Sequence, residues 1–164
     1  MIISFTGCDG AGKTTHIDLL KKRICNSCKL SGINLLDITN GVLVYENIRD
    51  IDLIYKQLEK YDVIVTRFYM KSKLCNEEQR KIRLGSDSVF NNSERIRKVL
   101  DCVKTDSDIW REHVISKLHE RNKIIIVDRY YYDEVAYRSM YNLGLYEVEQ
   151  YFCDAIKPVS YTHL

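Results

Sequence analysis

Four short apolar runs punctuate the chain, at Ile2–Thr6, Ile33–Ile38, Asp62–Thr66 and Lys123–Asp128. They are rich in isoleucine and valine and do not alternate with polar residues. Continuous β-branched runs of this kind predict strands buried on both faces, as in a parallel sheet. Between them, apolar positions recur at helical spacing. Ile17, Leu20 and Ile24 predict a helix from Lys13 to about Leu30. Ile48, Ile51, Tyr55 and Leu58 predict a second before the third strand. Trp110, Val114 and Leu118 predict one before the fourth strand, and Leu145, Val148, Phe152 and Ile156 one near the end. Strands alternating with such helices predict an α/β fold with right-handed crossovers and helices flanking the sheet.

The stretch from Arg67 to about residue 122 is too long for one simple crossover. It predicts a weak helix around Glu77–Leu84, a loop from Gly85 to Ser93, a helix around Glu94–Val103 and the Trp110 helix. Ligands of parallel sheets sit outside the carboxyl ends of the strands. A helical excursion leaving that edge is therefore a candidate substrate-binding segment. The alternative is a decorative insertion.

Composition narrows the class. A chain of 164 residues with 45 % apolar content suffices for one core. Lys plus Arg is 25 against 23 for Asp plus Glu, a net +2. That balance argues against nucleic acid or an anionic membrane as partner. No apolar run approaches the roughly 18–20 residues of a membrane span. The start lacks a basic region and a small-residue cleavage site, so the expected compartment is the reducing cytoplasm. The 6 cysteines are then expected to be free thiols. Cys25 and Cys28 have C-x-x-C spacing but lack a second ligand pair, so they read as ordinary helix residues.

Three of the 7 glycines, Gly7, Gly10 and Gly12, crowd one short segment. Gly7-Cys8-Asp9-Gly10-Ala11-Gly12-Lys13-Thr14 has the form G-x-x-x-x-G-K-[ST], after an apolar strand and before an amphipathic helix. Glycine lets the backbone turn tightly and approach an anion without a Cβ in the way. The loop N–H groups and the positive helix end then converge on phosphates. Gly7, Gly10, Ala11, Gly12, Lys13, Thr14 and Thr15 are the expected ATP phosphate-binding residues. Lys13 would reach the β- and γ-phosphates, and the Thr14 hydroxyl would hold Mg²⁺. Outside the loop no D-x-x-G occurs, and no guanine-binding N-K-x-D or transporter L-S-G-G-Q is present. The pattern points away from switches and motors.

Val65-Thr66-Arg67 and Val127-Asp128-Arg129 echo each other as apolar strands ending in arginine. Two guanidinium forks on one sheet edge suit a second phosphate, the requirement for transfer to an acceptor monophosphate. The alternative is that each arginine pairs with a nearby carboxylate. Asp128 is the expected acid ordering the metal's water shell. Asp9, inside the loop, either aligns an acceptor oxygen or shapes the loop.

These residues resemble the thymidylate kinases. The shared pattern is Gly7-Cys8-Asp9-Gly10-Ala11-Gly12-Lys13-Thr14-Thr15, then Asp128-Arg129-Tyr130, then Ala136-Tyr137. The resemblance spans about residues 1–158. It implies a three-layer P-loop kinase fold, ATP as donor, Mg²⁺ as cofactor and a deoxynucleoside monophosphate as acceptor, with dTMP to dTDP the expected conversion. It implies Lys13, Asp9 and Arg129 as catalytic residues. Asp9, Arg67, Arg129 and Tyr137 would contact the acceptor. Homodimers, common in that family, are compatible with it.

The chain departs from that pattern in places. Arg67-Phe68-Tyr69 stands where the family has Arg-Glu-Pro, and Arg138 where it has glutamine. Gly10 occupies the loop position at which some members carry arginine. Val159–Leu164 does not match the family, and the expectation is a missing last strand and lid. Trp110 either stacks on a base or packs in the core. Two other functions fit the sequence: a P-loop kinase acting on another acceptor such as a deoxynucleoside, or a nucleotide-binding protein with little turnover.

Overall fold

Strands form where β-branched residues can be covered from both sides, and the helices supply that cover. The computed structural model describes residues 1–6, 10–41, 43–67, 70–84 and 93–129. In chain order they form β1 (Ile2–Phe5), α1 (Lys13–Ser31), β2 (Leu35–Asp37), β3 (Val44–Tyr45), α2 (Ile48–Leu58) and β4 (Val63–Arg67). Then come β5 (Lys71–Ser72), α3 (Lys73–Leu84), α4 (Ser93–Trp110), a π-helical turn (Arg111–Ile115), α5 (Ser116–Glu120) and β6 (Ile124–Asp128).

The main sheet has the order β1-β6-β4-β2, with every pair parallel. Its side chains alternate between two apolar clusters. Val63, Val65 and Ile126 pack with Ile17, Leu20 and Ile24 of α1. Ile64, Ile125 and Val127 pack on the other face with Ile51 and Leu58 of α2, Val103 and Trp110 of α4, and Leu118 of α5. The sheet is therefore sandwiched between helices. Val63, Ile64 and Val65 are at most 1 % exposed, and each such burial stabilises the fold by about 1.5–3 kcal/mol.

All four apolar runs form strands, each within a residue or two of its expected limits. α2 is capped by Asn47, whose side chain accepts from the Arg49 and Asp50 N–H groups, while the Asp50 carboxylate accepts from Asn47 N–H. That reciprocal cap sets where the helix starts.

Three expectations change. The helix around Glu77–Leu84 begins earlier, at Lys73. The separate helices around Glu94–Val103 and Trp110 are one continuous run from Ser93 to Glu120. It widens at Arg111–Ile115, where Ser116 N–H donates to Arg111 O five residues back. Ser93, expected to end the loop from Gly85, is the first residue of α4, and the rest of that expected loop lies outside the described residues. Trp110 is 2 % exposed within the larger apolar cluster, so its role is core packing and not base stacking.

A second, two-stranded parallel sheet, β3 with β5, was not apparent from periodicity. Its strands are too short for a pattern to register. Each follows a carboxyl end of the main sheet, β3 after β2 and β5 after β4. No described helix is long and apolar enough to cross a membrane. The expected helix near the end and the 159–164 tail lie outside the described residues.

Candidate functional site at the carboxyl edge

The carboxyl ends of β1, β6 and β4 come level. Phe5 pairs with Asp128, and Asp128 pairs with Arg67, so the three stand in one row across the sheet. Alternation from Val63, Val65, Ile124 and Ile126 puts this row on the face covered by α1. Arg129 follows Asp128, and its N–H donates to Phe5 O at 2.9 Å. The backbone leaves the strand there with φ +69°, a left-handed conformation uncommon for arginine. Both arginines are exposed at the edge, and Asp128 is half-buried.

The chain runs from β1 through the glycine segment into α1. Gly10 (φ +84°) and Gly12 (φ +76°) take the left-handed conformation, which any other residue adopts only with strain. At Gly10 a Cβ would meet nothing within 4 Å, so the conformation alone calls for glycine. Gly12 O starts the helix by accepting His16 N–H at 3.0 Å. It also accepts His16 Nδ1–H at 2.9 Å. A carbonyl only accepts, so that contact sets the proton on Nδ1.

Lys13, Thr14 and Thr15 form the first turn of α1, at the positive end of the helix dipole. No acidic residue in that turn offsets the positive helix end. Lys13 is half-buried, and Gly10, Ala11, Thr14 and Thr15 are exposed. Gly7, Asp9 and Tyr137 lie outside the described residues. Strand pairing thus brings Arg67, Asp128 and Arg129 to one edge of the sheet, and the chain that leaves β1 at that edge next forms α1, opening with Lys13 and Thr14.

Thr14 and Asp128 offer hard oxygen donors, the chemistry that suits Mg²⁺ beside phosphates. Among the described residues no three His, Cys, Asp or Glu side chains gather as a metal cluster. A phosphate-bound Mg²⁺ uses only one or two protein ligands and keeps several waters, so this donor set fits it.

A clamp that the motif did not reveal secures α1. Lys21 reaches Asp18 at 2.6 Å on its own helix and Asp37 of β2 at 2.7 Å. These bonds raise the Lys21 pKa. Burial pushes the Asp37 carboxyl up, but Lys21 and two bonds from Thr39 outweigh it and hold the pKa below the ordinary value. The signal in the sequence was an acid inside the apolar run Ile33–Ile38.

A second feature sits beside the small sheet. The Asp106 side chain of α4 is buried, with the residue 1 % exposed. Its Oδ1 accepts Tyr45 O–H at 2.7 Å, and its Oδ2 accepts Ser72 N–H at 2.9 Å and Ser72 Oγ–H at 3.3 Å. Ser72 Oγ in turn accepts Cys75 N–H at 3.1 Å and caps α3. Burial, then the bond to Asp106, push the Tyr45 hydroxyl pKa up. Burial and the Asp106 charge likewise push the Cys75 thiol up. The sequence signal was an acid in the apolar stripe Val99, Val103, Asp106, Trp110.

Neither a scan against protein-family models nor a search of curated proteins finds a match to this chain.

Proposed function

We propose that this protein has a P-loop kinase fold and transfers a phosphoryl group from Mg·ATP to a (deoxy)nucleoside monophosphate, with dTMP the first acceptor to test. The observation that carries the reading is the row Phe5, Asp128, Arg67 on the α1 face, beside the glycine segment that opens α1. An anion-binding turn, a carboxylate and two arginines then share one sheet edge.

Bound Mg·ATP would supply the transferable phosphoryl group and the metal's charge. The protein's part is positioning and charge neutralisation, which carry most of the catalysis in such transfers. Loop N–H groups and Lys13 would hold the donor phosphates. Thr14 and Asp128 would hold the metal, Asp128 through ordered water. Arg67 and Arg129 would orient the acceptor phosphate, a task that guanidinium forks perform bidentately. Arg129 is well suited to it because its bond to Phe5 O ties it to the strand that feeds the loop.

A coupled ADP-release assay with a panel of monophosphates and nucleosides tests the proposal. Acceptor-dependent ADP with a monophosphate is the expected result. Release with nucleosides alone would replace it with a nucleoside kinase. ATP binding without acceptor-dependent release would leave a nucleotide-binding protein.

A further inference from the structure

The chain leaving β4 at Arg67 reaches Ser72 within five residues, and Ser72 is where the Asp106 carboxylate holds it. Met70 between them is 1 % exposed, and Lys71 N–H donates to Leu43 O at 2.8 Å. Tyr45, on the paired strand β3, is held by the same carboxylate. One buried side chain therefore connects β3, β5 and the start of α3 to α4. These contacts span 61 and 34 residues of sequence.

A buried carboxylate is costly unless its oxygens are satisfied. Here three donors meet the two oxygens, and each donor would otherwise be left with its own desolvation penalty. Such a network specifies one arrangement of the elements it joins. The element it specifies most directly is β5, which begins four residues after Arg67.

We infer that Asp106 is a positioning residue for acceptor use: by holding β3 and β5 it anchors the chain a few residues beyond Arg67, and so keeps Arg67, at the end of β4, in the productive place for the acceptor phosphate. This rests on the proposal that Arg67 contacts an acceptor. Small displacements of a positioning group are enough to lower rate strongly, since about 1 Å can cost on the order of 100-fold. Asp106 itself touches neither nucleotide.

The test compares wild type with Asp106→Asn, Asp106→Ala and Tyr45→Phe. Asparagine keeps one acceptor oxygen and turns an NH₂ toward a former donor, and phenylalanine removes only the bond from Tyr45. Steady-state kinetics give KM for acceptor and for ATP separately, and hydrogen exchange reads the Ser72 amide. The expected result is an acceptor KM raised about tenfold or more in Asp106→Asn, with ATP KM changed less than about twofold. Faster exchange at Ser72 should accompany it. Tyr45→Phe should shift acceptor KM in the same direction by a smaller factor, with little change at Ser72.

Should Asp106→Ala fail to fold, the two milder variants still decide the matter. Faster Ser72 exchange with both KM values unchanged would overturn the inference, as would equal rises in both. A wild type that releases no acceptor-dependent ADP would instead overturn the kinase proposal, and the acceptor role with it. In that case Ser72 exchange still reports whether Asp106 holds the small sheet.

Discussion

Arg67 stands directly abreast of Asp128 on neighbouring parallel strands. Their side chains leave the same face of the sheet, at the level where β4 and β6 end. In the proposed reaction they divide the labour: the carboxylate serves the metal, and the guanidinium serves the acceptor. Neutralising either one should therefore affect a different substrate.

Arg67→Ala and Arg129→Ala should weaken use of monophosphates by roughly tenfold to a hundredfold in kcat/KM, the worth of a charged hydrogen bond. ATP KM should change far less. Kinetics with monophosphate and nucleoside acceptors in parallel provide the check. An equal loss with uncharged nucleosides would remove the phosphate role.

Lys13→Ala should cut turnover by about 100-fold or more, through lost charge stabilisation at the donor phosphates. Calorimetric titration with ATP and the coupled assay both read this. Unchanged turnover would refute the phosphate-cradle argument.

Gly10→Ala isolates backbone conformation from packing, because open space surrounds the position. The expected loss is about 1–2 kcal/mol of stability, the cost of a left-handed residue with a Cβ. Urea unfolding measures it. A neutral result would mean that the turn relaxes to another conformation.

Asp37 and Glu78 set an acid limit on stability. Glu78 is held below its ordinary pKa of 4.5 by the bond from Lys81, against the opposing effect of burial, with Lys98 adding its charge. Asp37 is held below 3.8 by Lys21 and Thr39 against burial. For a lowered carboxylate, the stabilisation is complete above the unfolded value and disappears as pH falls through the folded one. Asp37→Asn should therefore cost on the order of 1 kcal/mol at pH 7 and progressively less below about pH 4. Thermal melts from pH 7 to pH 2.5 test this; a gap that stays constant would argue against the Lys21 clamp.

Cys75 should resist alkylation in the folded protein. It is fully buried, and both burial and the Asp106 charge disfavour its thiolate. Asp106→Ala should speed the reaction. Mass-spectrometric mapping after maleimide treatment distinguishes Cys75 from the half-buried Cys25. Rapid native labelling of Cys75 would show that α3 opens away from α4.

The sequence by itself determined the strands of the main sheet, the first two helices and the location of the glycine turn. Each rests on local chemistry. Isoleucine and valine runs need cover on both faces, Asn47 and Asp50 cap their own helix, and left-handed turns at positions 10 and 12 require glycine. Packing decided the rest. Strand order placed Phe5, Asp128 and Arg67 in one row, although they are far apart along the chain. The same packing turned Trp110 inward, fused two expected helices into one and brought Tyr45 and Ser72 to Asp106. Periodicity reports which face of an element is buried. It carries no information about which distant donor will meet a buried carboxylate, because that is settled only when the layers close.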